Sequence, residues 1–298
     1  MIRRIKFFFI ISFLFSSIHV VAQEGRKLSL QSRLDIKWEG ANKIKLIYLI
    51  AKDIENIQKI IEMRFSITPD TIYEKDGNKY AEFRIEESDK TDKLEVRTLL
   101  EVYQHDLKKA KENNTPVIQL TSPEKYLISE QYMEADDETI QEKALELRKK
   151  ENLKTVENIY KFVTKTIKSG EYNPKDVGAK QALIDKKGDC TEYTDLFVAL
   201  CRACSIPAKH IFGYISGPVN VPQHSWAEVF IKDLGWIQIE ITPGNDANLN
   251  EITRGYISMT EVRNDKNLNN KYYYLYYWWG DSAPTIKNTV SIKEYAKR

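Results

Sequence analysis

From Leu28 to about Val102 the apolar residues tend to alternate with polar ones. Leu34, Ile36 and Trp38 form one set, Ala81, Phe83 and Ile85 a second, and Leu94, Val96, Leu100 and Val102 a third. The second set follows the turn signal Asp76-Gly77-Asn78. A period of two between Gly, Asn and Asp clusters predicts strands with one buried face, and this half reads as an antiparallel β-sandwich. It pairs no nucleophile with a base, so a structural or docking role is the reading there. After Pro123 the period changes. Asp136-Asp137 can cap a helix whose apolar face is Ile140, Ala144 and Leu147. A second helix shows Val156, Ile159, Tyr160, Val163 and Ile167, and Ser169-Gly170 ends it. A third, over 191–204, carries Tyr193, Leu196, Phe197, Leu200, Cys201 and Cys204 on one face, and Ser205-Ile206-Pro207 stops it. Two strand-like runs follow, HSWAEVFI (224–231) and WIQIEIT (236–242), and the short turn between them makes a hairpin. Near the end, YYYLYYWWG (272–280) reads as a strand buried on both faces; exposed, it would make a platform for peptide or glycan.

The first residues have a different logic. Arg3, Arg4 and Lys6 form a basic start, Phe7 to Phe15 an apolar run, and Val20-Val21-Ala22 a small-residue exit. This layout predicts a secretory signal peptide over 1–22, cut after Ala22, and a periplasmic or secreted mature protein. Ser12, Ser16, Ser17 and His19 interrupt the run, which falls short of the ~18 to 20 apolar residues of a membrane span. The chain has 45 basic and 43 acidic side chains, and three of the basic ones leave with the leader. The mature protein is therefore close to neutral and lacks the basic footprint of a nucleic-acid binder.

Export makes the three cysteines informative, because an odd number in an oxidising compartment is no disulfide framework. All three lie in GDCTEYTDLFVALCRACSIPA (188–208). On one helix Cys201 lies eleven positions beyond Cys190, about 16 Å along the axis, so Cys190 cannot bridge to Cys201 or Cys204. Zinc fits poorly, since two of its ligands would have to come from a buried helix face and distant histidines. Cys201 and Cys204 read as core cysteines, with a strained bond between them left open. Cys190 differs because it starts the helix, where unpaired N–H groups and the helix dipole favour a thiolate. An activated cysteine also needs a base, and that base needs an orienting group. Beyond the leader the histidines are His105, His210 and His224. His105 sits in the sandwich half without a partner pattern, and His210 reads as one strand residue among apolar neighbours. In the hairpin, alternation puts His224, Trp226 and Glu228 on one face and Trp236, Gln238, Glu240 and Thr242 alongside it. Ile237, Ile239 and Ile241 take the core face. Glu240 then lies near His224, which makes Cys190, His224 and Glu240 a candidate triad.

These residues resemble the transglutaminase-like superfamily, a papain-like cysteine fold. Its bacterial members look like "GDC…A.LF.ALCRA.GIPAR…GY", "HAWVEVY" and "GW…DPT"; this chain reads GDCTEYTDLFVALCRACSIPAKHIFGY, HSWAEVF and GWIQIEITPG in the same order. The likeness spans roughly residues 130–245, and the DGN turn extends it weakly into the sandwich. It implies an α+β protein: a papain-like transglutaminase core with N-terminal helices and a catalytic helix packed on an antiparallel sheet, preceded by a β-sandwich. The domains expected are the leader (1–22), the sandwich (23–128) and a catalytic domain (129–298) that keeps the aromatic-rich C-terminal strands. The resemblance places the nucleophile on Cys190, the base on His224 and the third member, normally aspartate, on Glu240. Ser205 and Lys209 stand where the family usually has glycine and arginine. The implied chemistry is acyl transfer on amide bonds of peptide or protein substrates, cell-wall peptides among them, through a thioester and without metal or cofactor. Hydrolysis is favoured over transfer to an amine because water is never limiting. The alternative is an inactive binding module. Gln181 is a candidate oxyanion donor against the plainer reading of a surface glutamine, and Trp226 a candidate substrate contact.

Overall fold

The computed structural model describes residues 25–89, 91–103, 107, 123–170, 175–217, 223–244, 249, 252 and 255–295. The expected signal peptide and His105 lie outside the described residues. Strands β1 (Gly25–Lys37), β2 (Ala41–Ile50), β3 (Gln58–Phe65), β4 (Thr71–Lys75), β5 (Asn78–Glu86) and β6 (Lys93–Tyr103) build the first half. Alternation is strict on β6, where Leu94, Val96, Thr98, Leu100 and Val102 are buried while their neighbours are not. Asp76 (φ 52°) and Gly77 (φ 90°) are both left-handed and turn β4 into β5, the geometry a two-residue hairpin loop needs.

The aromatic-rich C-terminus corrects the expected assignment to the catalytic half. Strands β13 (Tyr274–Gly280) and β14 (Thr285–Glu294) return to the sandwich, where β13 pairs with β2 and β14 with β1. The two sheets run β14-β1-β6-β3 and β13-β2-β5-β4, and their inner faces pack Leu34, Ile44, Leu46, Phe83 and Leu94 into one core. Alternation marks a strand but does not name its neighbour, which is why the pattern alone missed this closure. Nor is β13 buried on both faces. Tyr274 and Tyr276 reach across to β14, donating to the carbonyls of Ile286 (2.9 Å) and Pro284 (3.2 Å), while Tyr277, Trp278 and Trp279 are 45–51% exposed.

Helices α1 (Glu138–Leu147), α2 (Asn152–Thr166), α3 (Gly178–Asp185) and α4 (Cys190–Ala203) form the second half with the antiparallel sheet β11-β10-β9-β12. Its strands are β9 (Ala208–Ile215), β10 (Gln223–Ile231), β11 (Gly235–Ile239) and β12 (Tyr256–Thr260). The two-residue strands β7 (Lys168–Ser169) and β8 (Lys187–Gly188) pair in parallel just ahead of α4. Asp137 caps α1 as its sequence predicts; α3 has no counterpart in the sequence reading. Helix α4 is buried from Thr191 to Arg202, enclosed by the other helices and by the isoleucine face of the hairpin. Beyond it, Ser205 holds the left-handed conformation (φ 63°) expected of a residue standing in for glycine.

The halves are bonded together. The Gln58 side chain, 1% exposed, donates to the Ser258 carbonyl (2.9 Å) and accepts from the Ser258 N–H (2.8 Å). Asp265 accepts from Asn78 (3.0 Å) and Tyr80 (2.7 Å), and Leu28, Leu49 and Tyr80 share a core with Tyr214, Ile257 and Leu268. Among the described residues no helix is long and apolar enough to cross a membrane.

Candidate active site

Gly188-Asp189-Cys190 sets the tip of α4. The Asp189 carboxylate accepts the Thr191 N–H (2.8 Å) and Glu192 accepts the Asp189 N–H (2.9 Å), a reciprocal capping box. Gly188 is required for it: a Cβ there would lie 2.3 Å from the Glu192 Cβ. Cys190 is thereby fixed as the first helical residue, half-buried, at the positive end of the helix dipole. Cys201 and Cys204 are free thiols inside the core, and burial pushes both up from the ordinary thiol range. No bond joins them.

His224 lies on β10 and Glu240 immediately follows β11. Hairpin pairing of Ala227 with Ile239 puts Glu240 across from Trp226 if the register is continued, a diagonal step from His224. The long glutamate stem covers that diagonal. His224 Nε2 and Glu240 Oε2 are 2.6 Å apart, with the two residues 5% and 1% exposed. The remaining ring nitrogen, Nδ1, is the one left for Cys190, with which His224 hydrogen-bonds. Burial alone would keep the ring neutral, but the Glu240 charge and the Cys190 contact push its pKa up to about 10. At neutral pH the site holds an imidazolium beside the Cys190 sulfur. The sheet and helix tip thus bring Cys190, His224 and Glu240 together.

Of the other two candidates, Gln181 takes the plainer reading and Trp226 is corrected. Gln181 is on the exposed side of α3, its amide donating to Asp185 (2.7 Å), because the helical period turns Ala179 and Ala182 inward instead. Trp226 is fully buried among Ile211, Ile215, Ile252 and Tyr256, so it underlies the site and cannot meet substrate.

Three features were not read from the sequence. The Tyr256 hydroxyl donates to Glu240 Oε2 (2.5 Å), and the Thr242 N–H donates to Oε1 (2.7 Å). Lys209, 5% exposed, pairs with Glu228 (3.2 Å) and Glu261 (3.1 Å) and lies 4.0 Å from the Trp236 ring, occupying the rest of the polar hairpin face. Behind the helix tip, His210 Nδ1 meets Asp195 (2.7 Å), which also takes Arg263 (3.0 Å); Arg263 pairs with Asp176 (3.1 Å), and Tyr272 donates to Asp176 (2.5 Å). Burial pushes His210 below the usual imidazole range despite Asp195, so it stays neutral and structural. The one available signal was Asp195 itself, an acid on an otherwise apolar helix face.

Residues 141–241 match the family model described as the transglutaminase-like superfamily. An alignment 148 positions long that covers 41% of the chain is 27% identical to the uncharacterized protein YebA of Bacillus subtilis strain 168 and spans only 20% of that protein's length. In fold, the chain is similar to a candidate cysteine protease of Cytophaga hutchinsonii, with a TM-score of 0.63 over 92% of both chains at 18% identity. The periplasmic domain of TgpA from Pseudomonas aeruginosa aligns with 71% of this chain and 86% of its own at 14% identity, with a TM-score of 0.36. The family match covers α4 and the hairpin, the elements that carry Cys190, His224 and Glu240, so this part of the chain is similar to the transglutaminase-like superfamily.

Proposed function

We propose that this protein is an exported thiol enzyme that cleaves amide bonds of peptide or protein substrates. The observation that carries the reading is a half-buried cysteine at a capped helix tip, hydrogen-bonded to a buried imidazolium that a carboxylate holds. Cys190 Sγ attacks the amide carbonyl, and the oxyanion is received by the Cys190 N–H, the Thr191 N–H being taken by Asp189. The C–N bond breaks as His224 gives its proton to the leaving amine, leaving a thioester. Water then loses a proton to His224 and attacks the thioester, releasing the acid and restoring the ion pair. A lysine amine in place of water would give a cross-link; hydrolysis is favoured because water is always present.

Iodoacetamide labelling followed by mass spectrometry tests the pair. Cys190 is expected to label fast near neutral pH and to slow to the rate of an ordinary thiol in His224→Ala. Labelling that is slow in the wild type, or indifferent to His224→Ala, overturns the reading. Incubation with cell-wall peptides, and with a glutamine peptide plus a labelled amine, separates hydrolysis from transfer by product mass. No product from either, together with peptide or glycan binding at the exposed Tyr277, Trp278 and Trp279, would favour the binding-module reading instead.

A further inference from the structure

Glutamate reaches His224 at the cost of one more rotatable bond than aspartate, and a buried carboxylate that can swing is a poor orienter. Here both of its oxygens are anchored. Oε1 accepts the Thr242 N–H at 2.7 Å, and Oε2, the oxygen that meets His224 Nε2, also accepts the Tyr256 hydroxyl at 2.5 Å. The tyrosine comes from β12, two strands away from His224 in the order β11-β10-β9-β12. Intervening β9 presents Gly213 opposite His224, where a Cβ would come within 2.9 Å of the Trp226 ring. That ring meets Tyr256 edge-on, with centroids 5.0 Å apart and planes at 88°, and both side chains are almost wholly buried. The phenol is therefore a rigid arm.

We propose that Tyr256 is a positioning residue: pinned by Trp226, its hydroxyl fixes the Glu240 carboxylate so that the longer side chain stays aimed at His224. The inference rests on the reading of Cys190 and His224 as the reacting pair. Charged and titratable groups that bear on the pair are Cys190 from α4, Tyr256 from β12 and the Tyr160 phenol of α2, which burial and, after it, the Glu240 charge hold above its ordinary range.

Tyr256→Phe keeps the ring and its packing and removes one hydroxyl. The expected result is a fall of about one unit in the His224 pKa measured by imidazole NMR, equivalent to about a tenfold loss of the charged ring's stabilisation, and slower Cys190 labelling at neutral pH. In a Glu240→Gln background the same substitution should change neither reading further. An unshifted His224 pKa in Tyr256→Phe, or an equal loss in the Glu240→Gln background, overturns the proposal. Should Tyr256→Phe not fold, the wild type still decides: the Tyr256 hydroxyl proton should resonate far downfield and move in Glu240→Gln, and its absence there counts against the proposal. The arms are separable, because labelling indifferent to His224→Ala sinks the enzyme reading while the His224 pKa still tests the tyrosine.

Discussion

At the scale of single residues, two buried histidines sit on adjacent strands beside carboxylates, and one is neutral while the other is charged. His210 shares Asp195 with Arg263, whose charge competes, and desolvation keeps the ring neutral. His224 has Glu240 and Cys190, and its pKa is raised to about 10. On the proposed reading, the proton that a leaving amine needs is therefore retained across neutral pH and lost only as pH rises through about 10. Amide cleavage should hold its alkaline plateau to that point. Glu240→Gln should bring the limb down towards the ordinary 6.5 of the ring and slow turnover by on the order of 10²- to 10⁴-fold, as a pH–rate profile would show. The same shift stabilises the fold, fully below about pH 6.5 and progressively less as pH climbs to 10.

At the scale of the element, α4 does two incompatible-looking things: it is core along its length and polar at its tip. Apolar residues from Leu196 to Leu200 bury it, while Asp189 and Glu192 satisfy the first N–H groups. The cap keeps the tip from fraying, and with it the direction of Cys190. Asp189→Ala should cost about 1 kcal/mol of unfolding free energy in urea denaturation, and Cys190 labelling should slow along with it. A stable variant that labels at the wild-type rate would show that the cap has no part in placing the thiol.

At the scale of the whole molecule, the sandwich is built from both ends of the chain. Strand β14 covers ten residues of β1 from Leu28 to Lys37, and β13 covers β2. The sandwich in turn holds the sheet through Gln58 and Ser258. A chain ended after residue 271 would strip an edge strand from each sheet and expose Ile44, Leu46 and Ile47. It should lose its cooperative thermal transition by circular dichroism; a sharp melt at the wild-type temperature would show the closure to be dispensable.

Much of this was legible beforehand, for a physical reason. Side-chain period is local, so alternation gave β1, β5 and β6, the three-four repeat gave α1, α2 and α4, and the DGN signal gave the hairpin turn. Alternation within one hairpin was enough to set Glu240 beside His224. Contacts between distant segments follow from packing and not from period. Hence β13 and β14 in the sandwich, Trp226 beneath the site and the Arg263 network were unreadable in advance. The sequence by itself determined which side chains could react: a cysteine at a helix start, a histidine and a glutamate on one hairpin face. Only the tertiary structure decided how that glutamate is held, because the hydroxyl that holds it comes from a strand whose place in the sheet no local pattern specifies.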